Sequence, residues 1–133
     1  IEKYQPDLSR IHFVGRLPPS QLAQMLALSD LHLYFTVPFV LSWSLLNALS
    51  CGALVLASDT PPVREVVRDA INGRLVDFFD IDRFTQLGLS MLADPAAFRP
   101  LRTAAQEVVE ERYSLEVCLP KMVALYESVL SGS

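Results

Sequence analysis

Between Leu31 and Leu56 the chain carries its longest apolar region, and the residues that interrupt it decide what that region can become. Pro38, Ser42, Asn47 and Gly52 divide it into segments well short of the roughly 20 consecutive apolar residues a membrane-spanning helix requires. What remains reads as two buried strands around a buried helix: Leu31 to Phe35, then Ser42 to Cys51, then Ala53 to Ala57. A short apolar run without polar alternation suits a strand covered on both faces of a parallel sheet. Trp43, Leu45, Leu46, Ala48 and Leu49 make the intervening helix apolar nearly all round. Gly52 ends it, because glycine enters the left-handed conformation at a helix end without steric cost.

The same alternation extends on either side. Upstream, Arg10 to Val14 is a β-rich run closed by Gly15, and Pro18-Pro19-Ser20 opens a helix with Leu22, Met25 and Leu26 on one face. Downstream, Thr60 can cap a short helix beginning at Pro61, and Asn72-Gly73 turns the chain into a strand from Arg74 to Phe78. Three helices near 81–93, 97–112 and 115–130 close the chain. The predicted fold is therefore α/β: a Rossmann-like parallel sheet of about four strands with right-handed crossovers and helices on both faces. Such sheets bind ligands outside the carboxyl ends of their strands, which directs attention to the loops 15–19, 36–41, 58–62 and 78–81.

Composition narrows the partners. A formal charge of −4 with eleven scattered basic residues argues against nucleic acid and against a polybasic membrane anchor. No transmembrane segment or signal peptide is legible. Cys51 and Cys118 sit in apolar helical contexts without metal-ligand spacing, so they read as buried free thiols of a cytoplasmic protein. No Asp-x-Asp stands at a strand end to hold a metal, and Asp80-Ile81-Asp82 begins a helix, where acids cap.

From Phe35 to Ser58 the sequence reads F-T-V-P-F-V-L-S-W-S-L-L-N-A-L-S-C-G-A-L-V-L-A-S. It aligns without a gap on the pattern P-S-x-x-E-x-F-G-x-x-x-L-E-A-M-A-x-G-x-P-V-V-A-S of family 4 glycosyltransferases. H-F-V-G-R-L at 12–17 and R-E-V-V-R-D-A-I-N-G-R-L-V at 64–76 resemble the blocks that flank it in that family. The chain thus resembles the carboxyl-terminal, donor-binding half of a GT-B glycosyltransferase, as a single partial domain over 1–133 closed by the helices 81–130. The resemblance implies retaining transfer of a sugar from a nucleotide diphosphate donor, without a metal or other cofactor. The acceptor would lie in an amino-terminal domain absent from this chain, so the chain alone is expected to be inactive.

The resemblance also assigns residues. Leu41, Ser42, Trp43 and Ser44 stand where unpaired helix amides would hold the donor diphosphate, an arrangement favoured by the helix dipole. Read alone, Ser42 serves equally well as a plain helix cap. Gly15, Arg16 and Leu17 correspond to the loop that passes the nucleotide base, although Arg16 can equally be a solvated turn residue. The family's two glutamates, eight positions apart, fall on Phe39 and Asn47. Phenylalanine cannot accept a sugar hydroxyl's proton, whereas Asn47 can still bond a ribose diol without the strengthening charge. No residue of the chain is assigned to catalysis. Asp59 and Thr60 read as helix-cap residues, Glu65 as a group ordering nearby backbone, and His12 and His32 as packed strand residues.

The first two strand–helix units of such a domain, which include its central strand and a phosphate-binding Arg and Lys, precede the matched blocks and are not in this sequence. Bare sheet edges are then expected, and with them pairing to a second copy. The rival reading is a non-catalytic Rossmann-like binding domain in which Phe39 and Asn47 mark an abandoned site.

Overall fold

Parallel strand pairing organises the computed structural model, which describes residues 5–37 and 40–132. Among these the sheet has three strands in the order β1 (His32–Tyr34), β2 (Val55–Ser58), β3 (Arg74–Val76), each pair parallel. Helix α1 (Pro19–Leu28) leads into β1, α2 (Trp43–Ser50) joins β1 to β2, and α3 (Pro61–Arg64) precedes β3. Then follow α4 (Ile81–Ala93), α5 (Arg99–Tyr113) and α6 (Leu115–Ser131). Expected helices 81–93, 97–112 and 115–130 thus form within two residues of their predicted ends.

One expected strand does not form. Residues 11–14 are exposed and outside regular structure, and a single 3-10 turn, Leu8–Arg10, precedes them. Ile11 has extended dihedrals, so the local preference is expressed, but no described strand pairs with the segment. A strand is a relation between two segments, and β propensity alone does not make one.

Side chains alternate across β2 and divide the core in two. Val55 and Ala57 join α2, α3 and α5 through Leu45, Leu49, Val63 and Ala105. Leu54 and Leu56 join Phe84, Leu87 and Met91 of α4 on the opposite face. Helices therefore cover both faces of β2, and all four of its residues are buried. β1 departs from the expectation of a strand buried on both sides. Tyr34 faces the α2 cluster, but Leu33 is 52% exposed and Phe35 53%. They open on an apolar groove shared with Ile81, Gly88, Leu89 and Leu92 of α4, which does not reach fully across β1. Phe35 nevertheless stacks on Phe84 at 3.8 Å between ring centroids.

Local signals act as read. Gly52, at φ +70°, stops α2: its amide donates to the Leu49 carbonyl and that of Ala53 to Ala48, each at 3.0 Å. This is the paired Schellman closure of a helix end. Asp80 caps α4 by accepting from the Arg83 amide at 2.9 Å. Buried Asn72 closes the turn before β3, accepting from the Arg68 amide at 2.6 Å and donating to the Val66 carbonyl at 2.9 Å. Cys51 is half-buried, but Cys118 is exposed on α6, which packs along α5 and leaves much of its apolar surface to solvent.

Candidate functional site

The carboxyl ends of β1 and β2 and the amino end of α2 converge on one corner of the sheet. The segment between β1 and α2 is fastened at both ends by side chains. Where β1 stops pairing, the Ser58 hydroxyl takes over: it accepts from the Thr36 amide at 2.9 Å and donates to the Thr36 carbonyl at 2.7 Å. At the other end, the Tyr34 hydroxyl accepts from the Ser42 amide at 3.2 Å. Ser58 is fully buried and Tyr34 is 8% exposed, so both anchors are set in the core.

Ser42 is the N-cap of α2. Its hydroxyl accepts from the Ser44 amide at 3.2 Å and lies 2.9 Å from the Ser44 hydroxyl. Its carbonyl accepts from the Leu45 amide at 3.1 Å. Of the four amides expected to face a diphosphate, those of Ser42 and Ser44 thus already have protein acceptors. No described residue accepts from the amide of Trp43, whose ring is 80% exposed. Leu41 packs partly against the core. The first turn of α2 carries no acidic residue, so its positive dipole end is uncompensated. The arrangement can hold an anion: two hydroxyls, an uncommitted amide and no repelling carboxylate.

Asn47 lies one turn further along α2, exposed, on the face it shares with Trp43 and Ser44. It lines a small cavity of about 170 Å³ with Pro19, Leu22 and Leu26 of α1. The loop leading into α1 therefore arrives beside α2. In that loop Gly15 has φ +64° and open space around it, Arg16 is exposed and Leu17 half-buried. Among the described residues no hydrogen bond or ion pair joins Arg16 to α2. Phe39 lies outside the described residues.

The rest of the rim is less committed. Asp59 pairs with Arg64, whose Nη2 stands 2.8 Å from Oδ2; that hydrogen bond holds the Asp59 carboxyl below the usual carboxylate range. Thr60 occupies the N-cap position of α3, but its hydroxyl makes no cap bond and is buried without a partner, contrary to expectation. Glu65 is exposed at the end of α3. His12 is exposed and not packed, whereas burial lowers the half-buried His32 imidazole below its ordinary value. Among the described residues no group of three or more His, Cys, Asp or Glu could hold a metal ion. Among the described residues no helix is long and apolar enough to cross a membrane.

Tyr34 and Ser58 are the residues that the sequence reading left without a role. Both carried a signal. Each is a hydroxyl inside an apolar strand, and a buried hydroxyl requires a partner. Which partner it takes depends on strand register, which only the fold supplies.

Comparison with known proteins is consistent with this geometry. The family model described as "Glycosyl transferases group 1" matches residues 6–110. N-acetyl-alpha-D-glucosaminyl L-malate synthase of Bacillus anthracis is 27% identical over 120 residues, 90% of this chain and 30% of that protein. O-antigen chain mannosyltransferase B of Escherichia coli is 27% identical over 117 residues, 88% of this chain and 30% of its own length. Sucrose-phosphate synthase from Thermosynechococcus elongatus superposes with a TM-score of 0.83 at 26% identity, over 94% of this chain and 31% of that structure. Anabaena Alr3699/HepE in complex with UDP-glucose gives a TM-score of 0.82 at 19% identity, over 90% of this chain and 32% of that structure. The chain spans about a third of the length of each of these proteins.

Proposed function

The chain belongs to the glycosyl transferases group 1 family, and from that premise we propose that it is the nucleotide-sugar donor-binding part of a retaining glycosyltransferase of family 4. The observation that carries this reading is the amino end of α2. It stands at the carboxyl edge of a parallel sheet, with the Ser42 and Ser44 hydroxyls, the Trp43 amide and no acid in its first turn. A similar fold is the one solved with UDP-glucose, which supports a uridine or related nucleotide as the donor's carrier.

In this reading the donor diphosphate lies against α2, and the transition state is stabilised electrostatically. Charge grows on the departing diphosphate as the glycosidic bond breaks, and fixed amide and hydroxyl donors meet it without reorganising. Leu41 orders the approach to the helix, and Asn47 takes the ribose diol. Gly15, Arg16 and Leu17 lie along the base. The acceptor is bound by an amino-terminal domain of a longer, cytoplasmic parent protein, and no metal or other cofactor takes part. The outer edge of β1, with Leu33 and Phe35 exposed beside it, is where such a parent or a second copy of this chain would pair.

Asn47 and Phe39 favour a second reading, a family member that binds without transferring. One substitution separates the two. In the full-length protein with a UDP-sugar donor, Asn47→Glu should raise transfer several-fold, because a carboxylate strengthens the bond to the diol. Asn47→Leu should abolish it. A full-length protein that binds UDP yet shows neither transfer nor sugar release, with or without Asn47→Glu, would establish the non-catalytic reading instead.

A further inference from the structure

We propose that Tyr34 and Ser58 are positioning residues of the donor site: their hydroxyls hold the backbone of Ser42 and of Thr36 and so fix the amino terminus of α2 against the sheet. The proposal rests on the reading of that terminus as the diphosphate site, and it names the groups that set its place.

The geometry carries the inference. β1 stops pairing at Tyr34, opposite Ala57, while the backbone of Ser58 is paired with Val76 of β3. Beyond that point no described strand pairs with the chain leaving β1. The Ser58 side chain serves as one, bonding both the amide and the carbonyl of Thr36. Eight residues past Tyr34, the chain returns so that the Ser42 amide meets the Tyr34 hydroxyl. Both anchors stand at strand ends in the packed core, Ser58 fully buried and Tyr34 nearly so. Tyr34 also selects which amide is left over. By accepting from Ser42, and with Ser42 itself accepting from Ser44, it leaves Trp43 as the first α2 amide without a described acceptor.

Two effects of removing the Tyr34 hydroxyl oppose each other. Ser42 gains a free amide that a phosphate can use, and the segment loses its tether. The proposal requires the second to dominate, because one extra donor on an unfixed segment cannot recover the ordering that binding must then supply.

Equilibrium binding of UDP, and steady-state transfer from a UDP-sugar, should be measured on the full-length protein and on Tyr34→Phe and Ser58→Ala. The expected result is a three- to tenfold rise, roughly the worth of one hydrogen bond, in UDP Kd and donor KM. Acceptor KM should stay unchanged, a split that general loss of stability would not produce. If one variant unfolds, the other carries the test from the opposite end of the segment. Wild-type-like UDP binding in the folded variants, or tighter binding in Tyr34→Phe, overturns the positioning role. Failure of the unaltered protein to bind UDP is a different result: it removes the donor-site reading, and this inference with it.

Discussion

β1 and β2 are adjacent parallel strands, each within an apolar run, yet they occupy opposite circumstances. β2 has a strand on each side and helices over both faces, and its four residues are buried. Among the described residues β1 has one neighbour, and a groove opens where α4 does not cover Leu33 and Phe35. Both sequences read as strands buried on both faces. The difference shows that an apolar run records a strand's preference for burial, while the burial it has depends on which elements pack against it. Of this pair, β2 anchors the candidate site through Ser58. β1 contributes one face to it, through Tyr34, and leaves the other open, with Leu33 and Phe35 half exposed.

Side-chain truncation should separate the two strands most strongly. Leu45→Ala, in the cluster beneath β2, should cost about 2–5 kcal/mol of stability, and Leu33→Ala on the open face of β1 less than about 0.5 kcal/mol. Denaturant unfolding of the two variants checks this. Equal losses would mean that the β1 groove is filled in solution. Next in size, Gly52→Ala should cost about 1–2 kcal/mol, because alanine must adopt the left-handed backbone that ends α2. The neighbouring Gln106 side chain, 2.9 Å from the new Cβ, can turn aside and adds little. A loss below a few tenths would show that the helix end can rearrange.

A smaller effect separates the two regions by pH. Burial lowers His32 of β1, so the native state binds fewer protons than the unfolded chain below the ordinary histidine value of 6.5. Stability should then fall as the pH drops through that value. On the β3 side, burial works to raise Asp69, but hydrogen bonds from Arg74 and from the Leu75 and Ala70 amides outweigh it and lower the group. Asp59 is lowered by its bond from Arg64. Their contributions are present above the ordinary carboxylate value of 3.8 and are lost only as the pH falls further. Thermal midpoints should therefore decline in two steps, the first absent in His32→Gln and the second reduced in Asp69→Asn. A single step that both variants leave untouched would contradict this division.

Much of the architecture was legible because its signals are local. Ser42, Gly52, Asp80 and Asn72-Gly73 each act on neighbouring backbone, and each does so in the structure. The strand expected at 10–14 was misread because pairing is not local, and Cys118 and His12 because burial is not. In the candidate site, the cap residue and helix amides could be named in advance. What could not be seen was which amides have protein acceptors, since that follows from Tyr34 and Ser58 reaching across from strand ends.

The central claim is that a donor diphosphate rests on the amino end of α2. Hydrogen exchange, read by peptide in the full-length protein with and without a UDP-sugar, tests it most directly. The segment 40–46 should become the most strongly protected part of this chain, and Ser42→Pro should remove both the protection and the binding. Protection centred elsewhere, such as the Arg99–Arg102 face at the far end of α2 from Ser42, with 40–46 unchanged, would contradict it.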